Sequence, residues 1–195
     1  MSYPELQAKI FLYDIFDWVP ALPLLEPRAR FLHAGTLTKG GRGIAIMGWG
    51  GAGKTTSLLK LCLEDDWAYL SDDLGLVDTT GRLYRTPKRI QIYGHNISGQ
   101  PRLAARLFRN MGPVDRLAWQ CRLMLKGPTG VRRRIGARAF LGHMAESAKL
   151  TDILFLERGT SRDPELLPAD TDEVARRMAA IVLAEIEPYS SLHRE

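Results

Sequence analysis

Short apolar runs alternate along the chain with glycine-, proline- and charge-rich breaks, and no internal repeat or low-complexity tract interrupts that texture. Phe31 to Thr38 reads as a strand, Lys39-Gly40-Gly41-Arg42-Gly43 as a turn and Ile44-Ala45-Ile46-Met47 as a buried strand, so a hairpin is the simplest arrangement. The pattern changes at Lys54, where Thr55-Thr56-Ser57-Leu58-Leu59-Lys60-Leu61-Cys62-Leu63 has helical length and composition. Trp67-Ala68-Tyr69-Leu70 predicts another buried strand ending at Ser71-Asp72-Asp73, and Leu74 to Asp78 continues extended into a Thr79-Thr80-Gly81 turn. Leu83-Tyr84-Arg85 and Arg89 to Tyr93 predict further strands. Between Pro101 and Lys126 the texture is helical and basic, and Gly127-Pro128-Thr129-Gly130 then leads as a loop to Arg132-Arg133-Arg134. Ile153 to Leu156 predicts one more buried strand. Asp170-Thr171-Asp172-Glu173 opens a last helix to about Glu187, with Asp170 as its cap.

One segment in this succession carries specific chemistry. Gly48-Trp49-Gly50-Gly51-Ala52-Gly53-Lys54-Thr55 satisfies the eight-residue phosphate-loop pattern and falls between an apolar strand and a helix, where its mechanism requires it. Glycines let the backbone take positive φ and turn its N–H groups toward phosphate oxygens, and the helix start, Thr56 included, adds partial positive charge. Lys54 is expected to neutralise β- and γ-phosphates. The Thr55 hydroxyl is expected on Mg²⁺.

Some twenty residues on, Asp72 and Asp73 stand at the end of an apolar run, which in an open sheet is the ligand-bearing edge. An isolated Asp-Asp pair reads as a solvated turn; downstream of a phosphate loop, one carboxylate can hold the metal and the other can accept a proton.

Phe31-Leu32-His33-Ala34-Gly35, the loop from Gly48 to Thr55, and Leu70 to Asp78 together resemble the catalytic domain of HPr serine kinase/phosphorylase, whose fold is similar to the core of phosphoenolpyruvate carboxykinase. The resemblance covers Phe31 to Tyr93 and, more loosely, Ile153 to Leu156. It implies an α/β P-loop kinase with a mixed sheet, Asp72 as base toward a serine-like hydroxyl, Asp73 at the metal with Thr55, and His33 near the transferred phosphate. For His33 the plain alternative is a hydrogen-bonded histidine at a strand end. Catalytic roles thus fall to Asp72, His33 and Lys54, nucleotide binding to Gly48, Gly50, Gly51, Ala52, Gly53, Lys54, Thr55 and Thr56, and the cofactors are ATP and Mg²⁺. About thirty residues stand where the bifunctional enzymes have a separate N-terminal domain, so the likeness is to compact relatives that phosphorylate small molecules or peptides.

The 195 residues suffice for one domain, expected over 31–195 with a helical insertion at 100–140, while 1–30 is expected to pack on the core. Its apolar stretch from Ile10 to Leu25 is broken by Asp14, Asp17, Pro20 and Pro23, which excludes a single membrane-spanning helix. A net charge of +5 favours anionic partners. Much of it lies in the insertion, whose arginines read either as a solvated face or as anion contacts; sparse aromatics and the absence of a known motif there speak against nucleic acid. Cys62 and Cys121 lack metal-site spacing and both read as reduced core thiols of a cytoplasmic protein. The expected partner is a hydroxyl-bearing acceptor, small molecule or peptide or protein, with homo-oligomerisation left open. A nucleotide-dependent switch that grips its partner through the basic surface is the alternative function.

Overall fold

The computed structural model describes residues 29–86, 88–159 and 165–190. It is mixed α/β: a mostly antiparallel seven-stranded sheet, a separate two-stranded ribbon and, among the described residues, six helices. Strand β1 (Ala29–Leu32) is followed by the hairpin of β2 (Gly35–Lys39) and β3 (Arg42–Gly48), then helix α1 (Lys54–Glu64) and β4 (Ala68–Ser71). Next come β5 (Gly75–Asp78), β6 (Arg82–Tyr84), β7 (Ile90–Tyr93) and four helices, α2 (Gly94–Ile97), α3 (Pro101–Arg109), α4 (Pro113–Lys126) and, after β8 (Arg132–Ile135), α5 (Ala137–Leu141). The chain closes with β9 (Ser147–Leu156) and α6 (Thr171–Ser190).

The sheet order is β1-β5-β6-β9-β3-β2-β4, and only the central β3–β9 pair is parallel. Because β2 is antiparallel to both β3 and β4, those two run the same way as β9, and the carboxyl ends of β3, β4 and β9 share one edge. Strand periodicity of two then sorts the core. Ile44 and Ile46 of β3 face a cluster built with Leu58 and Leu59 of α1, Leu107 of α3, Trp119 of α4 and Phe140 of α5. Ala45 and Met47 face the opposite cluster, where Met178 of α6 packs. Each fully buried large apolar side chain, such as Leu58, Leu107 or Phe140, contributes about 1.5–3 kcal/mol of transfer free energy.

Several expectations are revised. The run from Phe31 to Thr38 is two strands: the Ala34 N–H donates to Leu32 O at 2.9 Å, the chain breaks at His33, and β1 leaves to pair with β5 while β2 stays with β3. Ile153 to Leu156 is only the last four of the ten residues of β9 and is half-buried rather than buried; the six residues before it include Lys149 and Asp152 and so lack an apolar signature, Asp152 being paired with Arg42 at 2.9 Å. The three arginines after the loop at Gly127 to Gly130 form β8, which pairs with β7 from Arg132↔Tyr93 to Ile135↔Ile90. Cys62 is buried as expected, but Cys121 is exposed, because α4 turns Trp119 inward and Cys121 outward. The expected packing of residues 1–30 lies outside the described residues, apart from Ala29 and Arg30, which belong to β1. No described helix is long and apolar enough to cross a membrane.

Candidate active site

The phosphate-loop segment leaves the sheet at the end of β3 and enters α1 without an intervening residue of regular structure. Gly48, Gly51 and Gly53 take φ of 145°, 77° and 105°, which L side chains rarely adopt. Gly48 is further restricted, since a Cβ there would stand 2.6 Å from Leu156 O on the neighbouring strand. At Gly50 and Gly53 a Cβ would meet nothing within 4 Å, so both positions border open space. The Ala52 N–H donates to Trp49 O at 3.0 Å, closing the first turn of the loop. Helix α1 begins with no side-chain cap on its first amides, which leaves those donors and the helix dipole directed at the loop mouth. Lys54 Nζ donates to Gly48 O at 2.6 Å and reaches Trp49 O at 3.3 Å, so the ammonium lies across the loop.

The two aspartates follow β4 at the same edge, and the fold treats them differently. Asp72 is 5% exposed and accepts the Thr55 hydroxyl proton at 3.1 and 3.3 Å. Burial, and next the adjacent Asp73 charge, push its carboxyl up to about 6, against the partial opposition of the Thr55 hydrogen bond and of Lys88 and Lys54. Asp73 adopts φ of 71°, unusual for a residue with a Cβ, and its side chain is half exposed. Its own burial would raise its pKa, but the Lys88 ammonium, bonded to Oδ2 at 2.9 Å, and His33, 3.7 Å from Oδ1, together hold it below the ordinary carboxylate value.

The expected residues therefore converge, with changed pairings. Lys54, Thr55 and Asp72 adjoin directly; His33 lies against Asp73 rather than Asp72; and the Thr55 hydroxyl bonds Asp72, not its expected metal partner Asp73. The Thr56 hydroxyl oxygen accepts from Asn96 Nδ2 at 2.8 Å. Trp49, within the loop, is 53% exposed. It adjoins a cleft completed by Phe155, Glu157, Arg177 and Ile181.

Three neighbours escape motif reading. Lys88 sits between β6 and β7 and reaches Asp73 across fifteen residues; Asn96 of α2, ahead of the insertion, ties that helix to the start of α1; and Arg158, just past β9, donates to Gly51 O at 2.7 Å. The only sequence signal for Arg158 was its place after an apolar strand, which gains meaning once β9 is known to lie beside β3.

No protein-family model and no curated protein matches this chain.

Among the described residues no group of three or more His, Cys, Asp and Glu is arranged to hold a metal by itself. Mg²⁺ in phosphoryl-transfer sites takes one or two protein oxygens and fills the rest with phosphate and water, and Thr55 with the aspartate pair offers such a set. The loop's glycines at positive φ, a helix start without a side-chain cap, and Lys54 fit a polyphosphate.

Proposed function

We propose that the chain is a compact P-loop kinase of the HPr kinase-like type, moving the γ-phosphoryl group of ATP to a serine-like hydroxyl on a small molecule, peptide or protein. The observation that carries this reading is the Thr55–Asp72 hydrogen bond, which couples the last residue of the phosphate loop to a buried carboxylate on a neighbouring strand end. A glycine-rich turn of structural purpose alone has no need of such a partner.

Loop amides and Lys54 would bind the phosphates, and Thr55 with the aspartate pair would hold Mg²⁺, whose chemical part when bound is to offset negative charge on the phosphate oxygens. The environments of the two aspartates drive their pKa values apart, which is how a pair of carboxylates divides its work. Asp72, raised toward neutral pH, is suited to take the acceptor's hydroxyl proton. Asp73, kept ionised by Lys88 and His33, is suited to supply fixed negative charge to a cation. Arg158 extends the cationic lining beyond Lys54, and His33 steadies the Asp73 carboxylate.

The test is a pair of single variants assayed by nucleotide titration and by transfer from labelled ATP to a panel of amino acids, polyols and short serine peptides. Lys54→Ala is expected to weaken nucleotide binding by at least about tenfold. Asp72→Asn is expected to retain nucleotide binding and lose transfer by about 100-fold or more. Unchanged affinity in the lysine variant refutes the phosphate-loop assignment, and unchanged transfer in the asparagine variant removes Asp72 from the reaction. ATP turnover that responds only to a macromolecule, with no phosphorylated product, would favour a nucleotide-dependent switch.

A further inference from the structure

The outer face of α4 is independent of the phosphate loop and carries its own signature. Val114, Leu117, Met124 and Leu125 are 80%, 62%, 87% and 84% exposed, and exposed Cys121 lies between them. Their spacing of three, four and three residues from Val114 through Leu117 and Cys121 to Met124 places them in one line along the helix. The opposite face is occupied: Trp119 is buried in the core and Leu123 packs against it. With Leu125 beside it the stripe spans about 16 Å at the helical rise, and solvent exposure of four large apolar side chains on one helix face is a feature of interaction surfaces.

Charge narrows what can cover it. Residues 100–140 contain ten Arg and Lys against one acid, Asp115, so of the chain's 27 basic and 22 acidic residues only 17 and 21 lie elsewhere. Asp115 is itself neutralised by Arg133 at 2.9 Å. Arg122, beside Leu125 on the helix surface, is exposed at the stripe's border. A second copy of the chain would bring the same excess of positive charge against itself, which opposes self-association. A bilayer-lying helix needs a charged face opposite its apolar one, and in α4 that opposite face is Trp119 and Leu123 seated in the core. The three-four-three spacing is instead the seam that a second helix fills with knobs into holes.

We propose that the α4 face is a docking site for an amphipathic α-helix of another protein, one whose apolar seam is flanked by Asp and Glu. The apolar line supplies contact area, and the surrounding cations select against neutral or basic helices and speed encounter.

The experiment uses the full chain and two fluorescent synthetic three-heptad peptides that share a leucine seam, one with Glu and the other with Lys at the flanking positions, read by anisotropy. The Glu peptide is expected to bind, the Lys peptide to bind at least about tenfold more weakly, and added salt to reduce the difference. Leu117→Ser with Met124→Ser, and separately Arg122→Glu, are each expected to weaken the Glu peptide by about tenfold with an unchanged melting temperature. Equal binding of the two peptides, no binding, or indifference to both sets of substitutions overturns the proposal. So do three alternatives: tighter capture by phosphatidylserine vesicles than by the peptide, a concentration-dependent dimer abolished by the serine pair, or slow native-state labelling of Cys121 by a maleimide, which would show the face already covered by the chain itself.

Discussion

Asp72 and Asp73 are adjacent in sequence and opposite in electrostatics. The difference follows from where each carboxylate points: Asp72 into the body against Thr55, Asp73 outward against Lys88 and His33. For Asp72 the linkage has a definite sign. Its folded pKa of about 6 lies above the unfolded value near 3.8, so between those limits the folded chain binds the extra proton and stability falls as pH rises, then levels off above about 6. Two pH units correspond to about 3 kcal/mol as an upper figure. Asp72→Asn is therefore expected to flatten this limb and to stabilise the nucleotide-free protein at pH 7 to 8, measured by chemical unfolding across pH. An Asp72→Asn profile that still falls between pH 4 and 6 would assign the limb to another group. At this scale the motif made Lys54, Thr55 and the aspartates legible. Lys88, Asn96 and Arg158 were not, because each acts through a contact that spans fifteen to 107 residues and carries no periodicity.

Among the elements, the β2–β3 hairpin and α1 were readable because their signals are local: a turn with Gly40 and Gly41 at positive φ, and a helix that begins where the glycines stop. The division of Phe31 to Thr38 into two strands was not, since apolar residues continue across the break and only separate pairing partners distinguish β1 from β2. Strand β9 was legible only in part, because its charged residues Asp152 and Lys149 find their partners at Arg42 and at the Thr80 carbonyl. Its parallel pairing with β3 nevertheless sets the loop geometry, with Gly48 opposite Leu156. Gly48→Ala combines an unfavourable φ with a Cβ 2.6 Å from the Leu156 carbonyl oxygen, and is expected to cost about 2 kcal/mol or more and to weaken nucleotide binding with it. Thermal unfolding and a nucleotide titration read both losses; a fully stable variant would mean that β9 yields freely at this point.

Across the whole molecule, α1 with the insertion's helices on one face and α6 on the other cover the central strands, and the candidate site lies at the edge where three of those strands end. A ligand that binds only the folded chain raises its stability, by about 2.7 kcal/mol at a concentration 100 times its Kd, or roughly 5–10 °C in Tm for a domain of this size. Mg²⁺ with ATP is expected to produce such a shift in the native chain and a much smaller one in Lys54→Ala, measured by differential scanning fluorimetry; equal shifts would place nucleotide elsewhere. The amino-acid sequence by itself determined the strand–loop–helix unit from β3 through its glycine-rich loop to α1 and the buried strands at Ile44 to Met47 and Ala68 to Leu70, because turn chemistry and hydrophobic periodicity act over a few neighbouring residues. Tertiary structure alone decided which carboxylate faces Thr55, which cations reach Asp73 and the loop, and which face of α4 is left outside, because each depends on strand order and packing between segments far apart in the chain.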